Sequence, residues 1–276
     1  MEFKVIHIDE TDSTNGWLRE FASDEHRIAR KNDIRDVRRD FREILCHSDA
    51  NVVVVAEYQT AGKGCGSNTW ESERGKNLTF SVLLHPTEIS ANCQFRISEA
   101  VSVALCETIE RLFRPLSPAD GSPHLGERIM IKWPNDIYVG DRKICGILIE
   151  NMLWGRIIDE SIVGIGLNVN QKAFLSDAPN PVSIIQLTGK ETDREALLQA
   201  FLKALSEAME MEPEALGEAY RSRLYRKVGM YPFRDSKGAF EAKVLDVLDD
   251  GRLVLLDAEG KARIYSFKEV AFIIEN

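Results

Sequence analysis

The stretch Lys132-Trp133-Pro134-Asn135-Asp136-Ile137-Tyr138, followed closely by Asp141-Arg142-Lys143, is the most informative part of this sequence. Apolar residues flank it on both sides, which predicts two strands joined by a turn. Pro134 fixes φ and removes a backbone donor, so the turn is stiff. Lysines and a carboxylate on a stiff turn suit a nucleotide phosphate with Mg²⁺. A β-turn with solvated charges would give the same local pattern.

Composition sets the class of protein. The 276 residues are 44% hydrophobic and 29% charged, which is typical of a soluble globular protein with one large domain and a small one. The net charge of −9 argues against nucleic acid as the main partner, because phosphate binding needs a basic face. The five cysteines are scattered and odd in number, which favours reduced thiols in a cytoplasmic protein. We find no signal-peptide pattern and no apolar run of about 20 residues, so no membrane association is expected.

The order of predicted elements indicates an α+β fold. An amphipathic helix is expected within the charged segment 24–49, where apolar residues recur at helical spacing. After Arg226 the sequence changes to short strands separated by Asp-Gly and Glu-Gly turns, which predicts a small all-β module. We therefore expect a large domain at 1–226 and a small domain at 227–276. The other predicted strands are 3–8, 52–56, 78–84 and 162–169, and the other predicted helices are 95–113, 194–211 and 214–224.

A glycine-rich loop, Gly62-Lys63-Gly64-Cys65-Gly66, directly follows a predicted buried strand. Glycines allow backbone N–H groups to turn inward and form an anion-binding nest, and Lys63 adds positive charge. The loop has neither the spacing of a Walker loop nor that of a Rossmann fingerprint. By itself it could equally be a flexible loop.

Several polar side chains suit a neutral ligand group such as an amide or a urea. Ser13, Thr14 and Asn15 offer donors and acceptors at a predicted helix start, and Gln59 does so at a strand end. A helix N-cap would explain the first three as well. Asn168, after two closely spaced glycines, could meet a substrate or could simply be a turn residue.

The sequence offers no evident nucleophile or set of metal ligands for the site. The sequence has no evident Ser-His-Asp or Cys-His arrangement, and its histidines have no metal-ligand spacing. Trp70 and Trp133 could wall a pocket or belong to the core. Charge stabilisation, rather than a nucleophilic side chain, is therefore expected to be the main catalytic device.

Taken together, these segments resemble biotin protein ligases, also called biotin–[acetyl-CoA-carboxylase] ligases. The run 132–136 followed by Lys143 is highly specific to that family, whereas the glycine loop and 12–15 are specific only in combination. The matching segments occur in the family's order over most of residues 3–170. They are Asp12-Ser-Thr-Asn15, Gln59-Thr-Ala-Gly-Lys-Gly64, Trp70-Glu-Ser72, Gly75-Lys-Asn-Leu78, Lys132-Trp-Pro-Asn-Asp136, Asp141-Arg-Lys143, Gly146-Ile-Leu148 and Gly164-Ile-Gly-Leu-Asn168.

The resemblance implies a catalytic domain like that of class II aminoacyl-tRNA synthetases, with a mixed sheet and flanking helices, followed by an SH3-like β-barrel. It also implies two chemical steps. Biotin and ATP first give biotinyl-AMP and pyrophosphate. A lysine of a biotin carboxyl carrier protein, belonging to acetyl-CoA carboxylase or a related carboxylase, then displaces AMP.

The resemblance also assigns roles to individual residues. Lys143 and Lys63 would be catalytic, and Lys143 would contact both the biotin carboxylate and the α-phosphate. Asp136 would bind Mg²⁺. The biotin head group would be held by Ser13, Thr14, Asn15 and Gln59, and ATP or the adenylate would be bound by Lys63, Gly64, Cys65, Lys132, Asn135 and Asn168.

This sequence departs from the family pattern at several points. Lys63 and Cys65 stand at positions where the family often has arginine, and a thiol cannot donate charge-assisted hydrogen bonds. We therefore expect looser retention of biotinyl-AMP, and slower escape in a Cys65→Arg variant. The segment 24–49 is longer than the usual connection and has no assigned role. No DNA-binding helix-turn-helix precedes Phe3, so a ligase without repressor activity is expected.

Two alternative functions remain open from the sequence. Lipoate–protein ligases share the architecture and the adenylate chemistry, but lipoate has an apolar ring that would leave Ser13–Asn15 without partners. A non-catalytic module that binds biotin or a carrier protein would not need the phosphate-handling lysines. The sequence does not distinguish a monomer from a homodimer.

Overall fold

The structure is a computed structural model that describes residues 1–31, 51–66, 68–113, 129–175 and 180–274, with side chains left aside for 24–31. Its first part is a mixed sheet with helices. The strands are β1 (Phe3–Thr11), β2 (Asn51–Gln59), β3 (Leu78–Leu84), β4 (Ile129–Lys132), β5 (Asp136–Val139), β6 (Arg142–Trp154) and β7 (Ile157–Leu167). The helices are α1 (Thr14–Lys31), α2 (Phe95–Phe113), α3 (Ile184–Thr188), α4 (Arg194–Met209) and α5 (Pro213–Ser222), with a 3₁₀ turn at Ala91–Cys93.

Within the described residues, the first sheet has seven strands in the order β1-β2-β3-β7-β6-β5-β4. β1 and β2 are parallel, and the other neighbours are antiparallel. The valine run in β2 and the fully buried β3 place both strands in the middle of the core. The prediction of a mixed sheet with helices is confirmed.

Helices cover the two faces of this sheet unequally. The apolar face of α1 packs on β2, β3 and β7 and forms a separate small core around Trp17, Leu18 and Phe21. On the opposite face, α2, α4 and α5 contribute to the main core, which continues into the C-terminal strands. α2 has its predicted bounds, because its apolar residues recur at helical spacing over its whole length.

A second sheet follows the helices. Its strands are β8 (Tyr231–Asp235), β9 (Gly238–Val247), β10 (Leu253–Asp257), β11 (Ala262–Tyr265) and β12 (Ala271–Phe272), in the described order β11-β10-β9-β8-β12. The sequence analysis missed β8, because its second residue is a proline, which weakens a strand signal. Pro232 nevertheless lies in register opposite Glu241 of β9.

The second sheet is fastened to the rest of the described structure beside the Pro134 turn. The indole Nε1 of Trp133 donates to the carbonyl of Gly251 at 2.8 Å, and its ring meets Phe267 edge-on at 5.9 Å. The turn itself is held by α5, since the Tyr220 hydroxyl donates to the Pro134 carbonyl at 2.7 Å. The C-terminal module is thereby held next to the turn that the sequence analysis singled out.

One sequence prediction falls on residues with limited description. The amphipathic helix within 24–49 lies mostly outside the described residues, since α1 is described to Lys31 and 32–50 are not.

The four cysteines in the described part, at 65, 93, 106 and 145, are free thiols, as expected. Among the described residues, no helix combines the length and the apolar character needed to cross a bilayer.

Candidate active site

A cavity of about 380 Å³ lies where the first turn of α1, the glycine loop, the Pro134 turn and the C-terminal module converge on β6 and β7. One end is lined by neutral polar groups and the other by lysines. Of the residues predicted for the site, the following line it: Ser13, Thr14, Asn15, Gln59, Lys63, Gly64, Cys65, Lys132, Asn135, Asp136 and Lys143. The structure therefore brings together segments separated by more than a hundred residues.

The neutral end is built on the start of α1. The Ser13 carbonyl accepts from the Trp17 backbone N–H at 3.0 Å, so the chain enters the helix immediately after Ser13. Thr14 donates its backbone N–H to Oε1 of Gln59 at 2.8 Å, and its Oγ1 lies 3.1 Å from the same oxygen. The N-cap and the binding-residue interpretations are thus compatible, because the helix start presents these side chains to the cavity.

A buried serine, missed in the sequence analysis, joins these groups. Ser81 of β3 is fully buried, and its Oγ lies 2.6 Å from Oδ1 of Asn15 and 2.7 Å from Oγ1 of Thr14. Asn15 in turn donates from Nδ2 to the Glu150 carboxylate at 2.8 Å. Glu150 forms an ion pair with Arg19, one turn further along α1. Nothing in the local sequence around Ser81 signals this role.

Gly164 makes room for Asn15. A Cβ at Gly164 would lie 2.2 Å from Oδ1 of Asn15, so a larger residue there would displace the amide. Gly164 is paired with Ser81 on one side and with Leu148 on the other. The glycine therefore seats the asparagine directly on the sheet backbone.

The cationic end is formed by Lys143 and Lys132. Nζ of Lys143 lies 2.8 Å from the Asp136 carboxylate, on the neighbouring strand. Nζ of Lys132 lies 5.6 Å from the ring centre of Tyr138 and 5.0 Å from that of Phe272. Burial lowers the pKa of Lys132, and Asp136 partly opposes that shift. An anion entering this end would therefore find two lysines and one carboxylate already close together.

The glycine loop folds back on itself as a tight hairpin. Gly64 donates its N–H to the Asn68 carbonyl at 2.8 Å, and Trp70 donates its backbone N–H to the Gly62 carbonyl at 2.9 Å. A Cβ at Gly62 would lie 2.6 Å from the Trp70 carbonyl, so only glycine fits there. This hairpin places Lys63, Gly64 and Cys65 on the cavity wall.

Trp70 is the wall between the two ends. Its ring stands over β6 and β7, where a Cβ at Gly166 would lie 2.2 Å from ring atom Cε2 and one at Gly146 would lie 2.8 Å from Cζ3. Lys143 lies over the same ring, with 5.8 Å from Nζ to the centroid. The buried Trp70 Nε1 has no hydrogen-bond partner among the described residues. The prediction of Trp70 as a pocket wall thus agrees with the geometry.

The C-terminal module also lines the cavity, which the sequence analysis did not predict. Phe267, Lys268 and Phe272 are on the wall, and Lys268 adopts a left-handed backbone with φ of 71°. Nζ of Lys268 is 3.2 Å from the position of a Cβ on Gly66. No local pattern could have identified these residues, because they reach the glycine loop from about 200 positions away.

Asn168 is the exception among the predicted site residues. It does not line the cavity; it is buried beside it, and its Nδ2 donates to the Val182 carbonyl at 3.2 Å. Its Oδ1 has no partner within the described part of the chain. Direct contact with an adenylate is therefore not what this geometry favours. The reason is that the turn after β7 directs Asn168 toward the segment 180–184, where it holds the backbone.

Asp136 was predicted to bind a metal. Among the described residues, no group of three or more His, Cys, Asp or Glu side chains is close enough to hold an ion unaided. Mg²⁺ is usually bound by one or two carboxylates together with substrate phosphates, so a single carboxylate beside two lysines is compatible with a shared metal. The metal-binding role of Asp136 therefore stays a prediction.

The comparisons with known proteins agree with this fold. Residues 41–168 match the model of the biotin/lipoate A/B protein ligase family. This stretch includes the glycine loop and the Pro134 turn, so the match agrees with the resemblance predicted from the sequence.

Individual relatives of this chain include ligases named for biotin. The bifunctional ligase/repressor BirA of Bacillus spizizenii is 30% identical over 226 residues, covering 78% of this chain and 64% of that protein. The chain thus spans less than two thirds of that relative. The biotin–[acetyl-CoA-carboxylase] ligase of Mycobacterium tuberculosis is 26% identical over 228 residues, covering 80% of this chain and 79% of that protein.

Among solved structures, the biotin protein ligase of Aquifex aeolicus in complex with biotin and ATP has a TM-score of 0.70 and 24% identity, and 99% of each chain is covered. At this identity the likeness concerns the fold alone, and for the described residues it takes in the second sheet as well as the first.

Proposed function

We propose that this protein is a biotin protein ligase, which attaches biotin through biotinyl-AMP to one lysine of a biotin carboxyl carrier protein. The observation that carries the proposal is the single cavity with a neutral polar end at Thr14 and Asn15 and a cationic end at Lys132 and Lys143. A ligand with a polar ring at one end and a carboxylate at the other matches that division. Solved relatives are described in complex with biotin and ATP or with biotinyl-5-AMP.

In the first step a biotin carboxylate oxygen would attack the α-phosphate of ATP, and pyrophosphate would leave. This brings anions together, and the lysine ammonium groups offset their repulsion. The position of Lys143 between the Trp70 wall and Asp136 supports this role. Lys63, Lys132 and Asn135 would hold the phosphates, and Asp136 would bind Mg²⁺ shared with them.

In the second step the amine of the carrier lysine would attack the acyl carbonyl, and AMP would leave. The mixed anhydride is already activated, so positioning the amine supplies much of the remaining rate. The carrier protein would belong to acetyl-CoA carboxylase or a related biotin-dependent carboxylase. Such a soluble cytoplasmic enzyme would need neither nucleic acid nor a membrane, and it would act as a monomer or a homodimer.

The finer description of the fold belongs to the same proposal. We propose that residues 1–226 form a catalytic domain related to class II aminoacyl-tRNA synthetases and that 227–276 form an SH3-like barrel. The first strand of the second sheet begins at Tyr231, after the last helix ends at Ser222, which supports a boundary in between. Phe267, Lys268 and Phe272 would then make the small domain part of the active site.

The test is pyrophosphate–ATP exchange by the purified protein with Mg²⁺ and either biotin or lipoate. Exchange that requires biotin supports the proposal. Exchange with lipoate alone would assign the protein to the lipoate branch, and exchange with neither would favour a binding module. Transfer of biotin to a carrier domain, followed by mass spectrometry, tests the second step and identifies the modified lysine.

A further inference from the structure

A continuous line of side-chain contacts runs beneath the neutral end of the cavity. We call Gln59, Thr14, Ser81, Asn15 and Glu150 the polar network. Oε1 of Gln59 lies 2.8 Å from the backbone nitrogen of Thr14, and Oγ1 of Thr14 lies 2.7 Å from Oγ of Ser81. Oγ of Ser81 lies 2.6 Å from Oδ1 of Asn15, and Nδ2 of Asn15 lies 2.8 Å from the Glu150 carboxylate. Glu150 itself does not line the cavity, and neither does its partner Arg19.

The carboxylate at one end fixes the orientation of Asn15. A carboxylate only accepts hydrogen bonds, so Asn15 must direct its NH₂ group to Glu150. The Leu148 carbonyl, 3.4 Å from the same nitrogen, is a second acceptor and favours the same orientation. Oδ1 of Asn15 therefore faces Ser81, and the 2.6 Å contact between these two oxygens needs the Ser81 hydroxyl proton.

The direction of this first bond determines the next. Ser81 has one hydroxyl proton, and it is donated to Oδ1 of Asn15. In the 2.7 Å contact between Ser81 and Thr14, the hydroxyl of Thr14 must therefore be the donor. The alternative destination of that proton, Oε1 of Gln59, is farther away at 3.1 Å and already accepts the Thr14 backbone N–H. The hydroxyl oxygen of Thr14, a residue that lines the cavity, then keeps its capacity to accept a hydrogen bond, and Gln59 keeps its NH₂ group as a donor.

We propose that Glu150, held by Arg19, is a positioning residue that sets the direction of the polar network and so makes the Thr14 hydroxyl an acceptor for a ligand N–H. This inference rests on the proposed function, because the ureido ring of biotin offers N–H donors whereas lipoate offers none. Glu150 thereby contributes to specificity without touching the ligand.

Exposure separates this role from a merely structural one. The side chains of Arg19 and Glu150 are 45% and 37% exposed, and ion pairs of that kind contribute little to stability. Asn15, Thr14 and Ser81 are 3%, 3% and 0% exposed, so a misdirected hydrogen bond among them is costly. The loss of Glu150 should consequently appear in ligand binding rather than in folding.

The first experiment compares Glu150→Met with Glu150→Gln by isothermal titration with biotin and by exchange kinetics. Methionine keeps the size but not the acceptor, whereas glutamine still offers a carbonyl oxygen to Asn15. We expect Glu150→Met to raise the Kd for biotin roughly tenfold or more, the order expected when a buried hydrogen-bond partner is lost, with an unchanged KM for ATP. Glu150→Gln should restore most of the affinity.

Glu110→Met is the matched control. Glu110 forms an ion pair with Arg223, in which Nε and Oε1 are 3.2 Å apart, and neither residue lines the cavity. Glu110→Met should leave both constants near their wild-type values. The inference is overturned if Glu150→Met binds biotin as the wild type does, or if Glu150→Met raises the KM for ATP as much as the Kd for biotin.

Exchanging the amide and the carboxylate between positions 15 and 150 tests the direction of the hydrogen bonds in the polar network. Asn15→Asp places two carboxylates 2.8 Å apart and should bind biotin poorly. In the double variant Asn15→Asp/Glu150→Gln, the glutamine amide donates to the aspartate, and the aspartate still accepts from Ser81. Recovery of affinity in the double variant supports the inference, and no recovery over Asn15→Asp contradicts it. A wild type that neither binds biotin nor exchanges with it would instead refute the proposed function.

Discussion

The ammonium group of Lys143 lies 2.8 Å from the carboxylate of Asp136 at the cationic end of the cavity. Asp136 begins β5 and Lys143 is the second residue of β6, so the antiparallel pairing of two adjacent strands holds them together. Lys143 is also anchored by its backbone N–H, which donates to the Asn180 carbonyl at 2.8 Å. The charge is thus positioned before any ligand arrives, which is the arrangement that stabilises a developing negative charge most efficiently.

Replacing Lys143 should therefore impair the chemical step. We expect Lys143→Met to lower kcat for biotin-dependent pyrophosphate exchange by about 100-fold or more, the range seen when one preorganised donor is removed. Lys143→Arg keeps the charge and should recover only part of the activity, because the planar fork does not fit the same point. Kinetics of the three proteins at saturating ATP decide this, and a Lys143→Met variant with wild-type kcat would remove Lys143 from the mechanism.

Gly166 should be required for the binding of biotin, because it leaves space for the ring of Trp70. A methyl group there would lie 2.2 Å from the Trp70 ring, so Gly166→Ala must displace the indole that walls the cavity. We expect weaker binding of biotin, measured by titration, while the protein stays folded. Gly155→Asn is a suitable control, because Gly155 has open space around its Cβ and asparagine tolerates its left-handed backbone. Equal binding by Gly166→Ala and the control would show that Trp70 does not contact the ligand.

Cys65 is predicted to make the site leak its intermediate. Its side chain lines the cavity but carries no charge-assisted donor toward a phosphate. Cys65→Arg should slow the release of biotinyl-AMP, measured by rapid filtration after a single turnover without carrier protein. Cys65→Ser removes the thiol without adding charge and should release the intermediate as the wild type does. An unchanged rate in Cys65→Arg would reject the idea.

Lys268 is the cation that the C-terminal module brings to the glycine loop. Its Nζ lies 3.2 Å from the position of a Gly66 Cβ, so it is placed to meet a phosphate held by that loop. We expect Lys268→Met to raise the KM for ATP several-fold, with little change in the Kd for biotin. Lys237→Met, in the turn between β8 and β9, serves as the control for lost surface charge. If both variants behave alike in exchange assays, the C-terminal module does not bind the nucleotide.

How much the sequence could predict depended on the range of the interaction. The Pro134 turn, the glycine hairpin and α2 depend on residues close together in the chain, and local rules describe them well. Lys268 and Ser81 reach the site only through packing of distant elements, and no local signal announces such contacts. Asn168 shows the limit of a motif, since its motif lies near the site but its amide donates to the Val182 backbone, and its predicted contact with the adenylate stays a prediction.

The contact between α2 and the C-terminal module should respond to pH through Glu99. Burial raises the pKa of Glu99 to about 7 from 4.5, Arg221 and Arg96 oppose the shift, and Asp249 adds to it. Between these two pH values the folded protein keeps a proton that the unfolded chain has lost. Protonation of Glu99 therefore stabilises the fold fully below pH 4.5, and this contribution is lost as pH rises through about 7.

A Glu99→Gln variant cannot lose that proton. Its thermal midpoint relative to wild type should therefore increase as the pH is raised from about 5 to 8. Glu107→Gln, on the same helix beside Arg111, controls for the loss of a surface carboxylate. Differential scanning calorimetry in matched buffers gives both differences. A Glu99→Gln difference that stays constant over this range would show that Glu99 is ionised throughout in the folded protein.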